Sequence, residues 1–184
     1  MNLTSKAFNI ALQAHKHQKR KGGNYPYAVH LLDVAKYVMY ETDKEHVIAA
    51  AFLHDVLEDT DYANLHTDFN EEVTHLVLFC TEKGNSPDKS DQELKNSWKS
   101  RKQDSINKLN NASKEEALVF VADKVANLLS IKEDLLQKKD VFTLFRASKQ
   151  DVKWYYTEVF THAQRLLPNT RLVAVYEDLL RVFD

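Results

Sequence analysis

The sequence predicts an all-α fold. Apolar residues recur at helical spacing over nearly the whole chain, several helix-start signatures stand ahead of apolar runs, and Gly and Pro number only 3 each in 184 residues. A sandwich or barrel needs many tight turns, each usually marked by Gly, Pro, Asn or Asp, so an all-β architecture does not fit. With 43% hydrophobic and 28% charged residues, the chain can bury one sizeable core. The expectation is a single-domain helical bundle over residues 1–184, of about eight or nine helices.

Phe8, Ala11 and Leu12 mark a first helix over residues 4–19. The segment RKGGNYPY, from Arg20 to Tyr27, holds two of the Gly and one Pro and reads as a structured loop. Leu32, Val34, Ala35 and Val38 resume the helical period over 29–40. Thr42 and Glu45 have capping-box spacing and predict a third helix through Ile48, Ala51, Phe52 and Leu53, ending in the acidic tail Glu58, Asp59, Thr60, Asp61. A fourth helix is expected over 69–81. GNSPDKSD, residues 84–91, is the most polar and turn-like segment and is expected to be a mobile loop. A highly charged helix should follow over 92–109. Ser113 and Glu116 again match a capping box, ahead of the apolar run 117–129. Ser148 and Asp151 are a weaker version of that signal before Trp154 and Tyr155, and a last helix is expected over 170–183. No internal repeat, low-complexity tract or linker interrupts this order.

Charge and composition narrow the partners. Twenty-five basic against 27 acidic residues leave a formal charge of -2, which gives no electrostatic case for duplex DNA or an anionic membrane. No apolar run approaches the roughly 18 residues of a membrane span, and the N-terminal segment lacks the features of a signal peptide. Cys80 is the one cysteine, so an intramolecular disulfide is impossible. Beside Leu76, Val77, Leu78 and Phe79 it reads as a buried thiol. A soluble, cytoplasmic protein is expected; no signal for oligomeric state is legible.

The chemistry concentrates in AAAFLHDVLEDT, residues 49–60. His54-Asp55 follows a wholly apolar run. On a helix Glu58 falls one turn beyond His54, and Asp59 one turn beyond Asp55. Four ionisable groups crowded at a buried helix end would cost several kcal/mol each if left unpaired, by order of magnitude. A divalent cation removes most of that cost by turning them into ligands. His30, in PYAVHLLDVA, and Asp123, in ALVFVADKVANLL, are further ligand types in apolar surroundings. Together His30, His54, Asp55 and Asp123 offer two nitrogens and two carboxylates, a set suited to an octahedral ion such as Mn²⁺ with two positions open, more than to tetrahedral Zn²⁺. Each residue alone has an ordinary explanation: a satisfied core histidine, an Asp123–Lys124 pair, a solvated helix end. Four coincident oddities favour one shared ion.

At this point AHKHQKRKGGNYPYAVH, AAAFLHDVLEDT and VFVADKVANLLS resemble three successive motifs of the HD-type hydrolase domain of the Rel/Spo alarmone enzymes, above all their stand-alone small hydrolases. The resemblance runs from about Phe8 to Leu166, with no room for the nucleotide-synthesising domain of the long members. It implies that His30, His54, Asp55 and Asp123 bind one Mn²⁺, and that Glu58 and Asp59 orient and deprotonate the attacking water. It places Arg20 and Lys21 near the base and phosphates of the substrate, with Tyr27 and Asn127 beside the nucleotide. Ser130 stands where many members carry Thr. Lys102, in SWKSRKQ, and Tyr155, in KWYYTEV, resemble phosphate- and substrate-contacting positions, and also read as a solvated charge and a core aromatic. Two departures stand out: Leu31 follows the first His where Pro is usual, and residues 22–25 do not match the common loop spacing.

The implied substrate is a small phosphorylated nucleotide, with no nucleic acid or membrane partner. The reaction implied is release of pyrophosphate from the 3′ position of ppGpp or pppGpp, yielding GDP or GTP. Alternatives on the same site are a 3′-pyrophosphorylated adenosine nucleotide or the 2′-phosphate of NADPH. From other classes come a non-catalytic nucleotide sensor, against which the intact Glu58 and Asp59 speak, and a helical interaction module docking through residues 98–108.

Overall fold

The computed structural model describes residues 2–20, 22–84 and 89–184. Among them there is no β-strand, and helices dominate: α1 (Leu3–Ala14), α2 (Ala28–Met39), α3 (Glu45–Leu53), α4 (Val56–Asp59), α5 (Leu65–Asp68), α6 (Glu71–Cys80), α7 (Asp91–Asn96), α8 (Trp98–Lys108), α9 (Lys114–Leu136), α10 (Lys149–Leu166) and α11 (Arg171–Leu179), with 3-10 turns at Leu109–Asn111, Val141–Leu144 and Leu180–Phe183. The all-α class is as expected. The segment number exceeds the sequence estimate because α4 and α5 are single turns and the charged helix is two pieces. No helix among the described residues is long and apolar enough to cross a membrane.

Two helices organise the bundle. From Val47 to Leu53, α3 is buried on every side, the pattern of a helix enclosed by others, and it packs against α1, α2, α6 and α9. The 23-residue α9 runs through the middle against α2, α6, α10 and α11. Its buried side chains include Leu118, Val119, Phe120, Val121, Val125 and Leu128. The polar residues His54 and Asp123 sit on these two apolar helices, so the core itself sets their separation.

Caps explain several boundaries. Ser113 Oγ accepts from the Glu116 N–H at 3.2 Å, and Glu116 Oε2 accepts from the Ser113 N–H at 2.7 Å, the reciprocal box expected at the start of α9. At Ser148 only half the box forms. Asp151 is one methylene shorter than Glu, and its carboxylate takes the Ser148 hydroxyl at 2.7 Å instead of the cap N–H. The Thr42/Glu45 box does not form. Lys44 is the N-cap of α3, without a side-chain cap, and Thr42 Oγ1 accepts from the Lys44 N–H at 3.2 Å, which moves the helix start two residues on.

Three further boundaries differ from expectation. The first helix stops at Ala14, because residues 15–27 fold back on themselves: the Tyr27 N–H reaches the Gln18 carbonyl and the Arg20 N–H the Tyr25 carbonyl, both at 3.0 Å. The charged helix divides at Ser97, after a Ser90/Glu93 capping box opens α7. Half of the 84–91 loop expected to be mobile, residues 85–88, lies outside the described residues. Leu31 is 2% exposed in a helix that has begun by Ala28, so its departure from Pro leaves α2 continuous through His30.

Candidate active site

His30 comes from α2, His54 and Asp55 from the α3–α4 junction, and Asp123 from the centre of α9. The regular helix is interrupted at His54 and Asp55, although both keep right-handed helical backbone angles. Asp55 therefore caps a new turn, its carbonyl accepting from the Glu58 and Asp59 N–H groups at 3.1 and 3.0 Å. One ligand atom from each of His30, His54, Asp55 and Asp123 lies within 4.8 Å of all the others. The two Nε2 atoms are 3.3 Å apart. His54 Nε2 is 2.9 Å from Asp55 Oδ2, and His30 Nε2 is 3.3 Å from Asp123 Oδ1.

This donor set fits a cation. His54 Nδ1 donates to the Ala51 carbonyl at 2.8 Å, which leaves the Nε2 lone pair for the cluster, the usual arrangement of a ligating histidine. Two buried imidazole nitrogens facing each other between two carboxylates need either a proton or an ion among them. Burial opposes a charged His54, but Asp55 and Asp123 outweigh it and hold its pKa well above the ordinary value. Burial likewise opposes ionised Asp123, yet Lys124 and the two imidazoles hold that carboxyl well below its usual range. The cluster could bind a metal ion.

A cleft of about 210 Å³ opens against the cluster. It brings together Tyr27, His54, Asp55, Glu58, Asp59, Lys102, Asp123, Asn127 and Tyr155 of the sequence-predicted set. Glu58 Oε1 accepts from the Glu82 N–H at 2.5 Å, and Asp59 Oδ2 accepts from Gln18 Nε2 at 2.8 Å. Burial and the Asp55 charge push the Asp59 carboxyl above its ordinary value, against the Gln18 amide. The Tyr27 hydroxyl donates to Asp55, and burial followed by the Asp55 and Asp59 charges holds its pKa well up. Asn127 donates to Asp123 Oδ1 at 2.6 Å and accepts from Arg20, so it links the cluster to the 20–27 loop.

Arg20 and Ser130 do not line that cleft. They line two adjoining cavities, one beside His30 and Asp33, the other floored by Ile131, Val141, Leu144 and Phe145. Lys102 is part-buried, paired with Glu82 and 5.1 Å above the Tyr155 ring, so it is no solvated helix charge. Tyr155 is 3% exposed, and its buried hydroxyl has no hydrogen-bond partner. It is a core aromatic whose ring also lines the cleft. Lys21 lies outside the described residues.

Sequence reasoning passed over several groups here. Lys124 pairs with Asp123 and lies 4.5 Å over the Phe120 ring; in the sequence it stood only as a neighbour that could neutralise Asp123. Glu82 follows α6 with no local signal, and Lys102 and Arg101 lower its pKa against the effect of burial. Cys80, which the sequence reads as a buried thiol, is instead half-buried, because it sits at the end of α6 and lines the cleft, although burial still pushes its thiol up.

Comparison with known proteins agrees with this architecture. The HD domain profile matches residues 7–153. A guanosine-3′,5′-bis(diphosphate) 3′-pyrophosphohydrolase from Aquifex aeolicus is 43% identical over 90 residues, which are 47% of this chain and 13% of that one. The chain spans only 10–20% of the length of the long relatives of this kind. Guanosine-3′,5′-bis(diphosphate) 3′-pyrophosphohydrolase MESH1 of Xenopus tropicalis is 32% identical over 136 residues, covering 71% of this chain and 70% of its own. A solved structure titled as a metazoan ortholog of SpoT that hydrolyzes ppGpp superposes with a TM-score of 0.74 at 22% identity, over 98% of this chain and 95% of that one, a likeness of fold. The chain belongs to the HD-domain family, in the Rel/Spo alarmone branch that includes the stand-alone MESH1 proteins.

Proposed function

We propose that this protein is a Mn²⁺-dependent phosphohydrolase that releases pyrophosphate from the 3′ position of ppGpp or pppGpp, leaving GDP or GTP, and that residues 1–184 work as one HD-type catalytic unit in the cytoplasm. One observation supports the reading above all: a four-residue His/Asp cluster, three of whose members line a cleft together with three further carboxylates and two lysines. The relatives named above as ppGpp pyrophosphohydrolases support the substrate class.

His30, His54, Asp55 and Asp123 would hold the ion. When bound, a Mn²⁺ ion lowers the pKa of water and offsets charge on a phosphoryl group. Glu58 and Asp59, held by the Glu82 N–H and the Gln18 amide, orient the attacking water and take its proton. The cleft holds four carboxylates besides Glu82, which would repel a polyphosphate. Lys102 and Lys124, which line the same cleft, with Arg20 and Lys21 from the loop, supply the compensating charge. Tyr27, Asn127, Ser130 and Tyr155 shape the nucleotide's seat around them. The Tyr27–Asp55 and Asn127–Asp123 bonds also orient the ligand carboxylates, the task of groups just outside a metal's own ligands.

A substrate panel under Mn²⁺ tests the reading: ppGpp, its adenosine equivalent, NADPH and simple nucleoside monophosphates, with products resolved. Pyrophosphate and GDP from ppGpp, abolished by chelation, is the expected result. Turnover that persists in a metal-free preparation refutes the mechanism. Ligand-induced stabilisation with no product at any metal concentration identifies a sensor instead. The unusual spacing of residues 22–25, beside Arg20, favours keeping the adenosine nucleotide and NADPH in the panel, because loop contacts choose the base.

A further inference from the structure

The AHKHQ segment, residues 14–18, carries Gln18, used above only to hold Asp59, and His15, which the chemistry above leaves unused. His15 closes α1 and is 3% exposed. Its ring stacks on Tyr27, with centroids 4.9 Å apart and planes at 24°. Its Nδ1 lies 2.5 Å from Gln18 Oε1, while its Nε2 is buried with no hydrogen-bond partner. Gln18 Nε2 in turn donates to Asp59 Oδ2 at 2.8 Å.

The directions of these bonds fix one another. A carboxylate only accepts, so Asp59 must face the NH₂ end of the Gln18 amide, which leaves the amide oxygen for His15. That oxygen also only accepts, so the imidazole proton sits on Nδ1. The buried, unpartnered Nε2 agrees, since a proton placed there would be a stranded donor. The stack on Tyr27 holds the ring in the plane this requires, and the Tyr27 hydroxyl itself donates to Asp55.

We infer that His15 and Gln18 are positioning residues: His15 Nδ1–H orients the Gln18 amide, and that amide occupies one oxygen of Asp59 so that the other faces the attacking water. The inference rests on the proposed hydrolase reading for the role of Asp59, but not for the geometry of the relay. Among the described residues neither side chain hydrogen-bonds to His30, His54, Asp55 or Asp123; their partners are each other and Asp59. Their effect should therefore fall on kcat and leave substrate affinity and metal content alone.

The test uses the full chain loaded with Mn²⁺ and ppGpp as substrate. Gln18→Leu keeps the bulk and removes both hydrogen bonds. It should lower kcat on the order of 10- to 100-fold, the usual cost of losing a partner just outside a catalytic group, with KM and bound manganese unchanged. His15→Phe keeps the stack and removes Nδ1; it should lower kcat several-fold, and the double variant should be no worse than Gln18→Leu, as for residues acting through one contact. A wild-type kcat in Gln18→Leu, a rise confined to KM, lost manganese, or multiplying effects in the double variant each overturn the relay. Histidine ¹⁵N spectra give a readout free of turnover. His15, identified by its absence from His15→Phe, should be the Nδ1–H tautomer and should lose that signature in Gln18→Leu; an Nε2–H His15 also overturns the inference. Wild-type protein that turns over no nucleotide defeats the functional reading, and the tautomer spectra then still decide the relay.

Discussion

Asp123 meets three demands at once: it faces both imidazoles, accepts from Asn127, and neutralises the part-buried Lys124. Asp123→Ala removes a ligand and strands a lysine, and breaking a buried pair from one side costs about 3–5 kcal/mol. The expected outcome is loss of stoichiometric Mn²⁺ together with a lower melting temperature. Asp123→Asn, which keeps the shape and the Asn127 contact, should lose the metal with less damage to the fold. Manganese counted on purified protein checks both, and either variant holding one ion at wild-type affinity removes Asp123 from the ligand set. Glu58 stands differently: it is outside the four-residue cluster, and its Oε1 accepts from the Glu82 N–H. Glu58→Gln should leave metal content and KM unchanged and lower kcat about 10²- to 10⁴-fold, the range for a lost general base. Weakened substrate binding at an unchanged rate would instead make Glu58 a binding residue.

Helix starts place the site, because α9 carries Asp123 and its first turn is tied to the start of α3. Ser113→Ala removes the α9 cap and should cost about 1 kcal/mol, a drop of roughly 2–4 °C in melting temperature for a chain of this size. Glu115, in the first turn of α9, receives Lys44 at 2.6 Å and His46 at 2.9 Å from the start of α3. The Lys44 bond, then the His46 bond, lowers the Glu115 pKa. A depressed carboxyl stabilises the fold above its unfolded pKa and loses that contribution as pH falls through the folded value. Glu115→Gln should therefore lower the melting temperature near neutrality, and the gap from wild type should close below about pH 4, the ordinary carboxylate range. A gap that widens on acidification contradicts this sign. The α9 start was legible because Ser113 and Glu116 are three residues apart and both halves of their box form. Thr42 and Glu45 have equal spacing and form none, because Lys44 takes the cap position and the turn closes elsewhere. The four cluster residues were legible too, as polar residues stranded in apolar helical runs. Gln18 and Glu82 were not: each reaches its carboxylate across 41 and 24 residues respectively, a distance over which no local pattern operates.

Across the whole molecule, the cluster ties α2, the α3–α4 junction and α9 to one point, although 93 residues separate His30 from Asp123 in the chain. Loop closure over such separations is entropically costly. Here the apolar packing of α3 and α9 provides it, so the bundle can fold with its four donors already assembled. The unfolded chain offers no such assembled set, and a bound ion must then stabilise the native state by mass action. At a free Mn²⁺ concentration about 100 times its dissociation constant the gain is about 2.7 kcal/mol, a rise of roughly 5–10 °C in melting temperature for a chain of this length. Thermal melts with and without chelator, over a Mn²⁺ titration, measure it directly. The rise should follow the logarithm of metal concentration once the site is filled, and should vanish in Asp123→Asn, where the packing is kept and one donor lost. Were the four side chains satisfied by protons and ordinary ion pairs alone, neither wild type nor Asp123→Asn would shift its melting temperature with metal concentration.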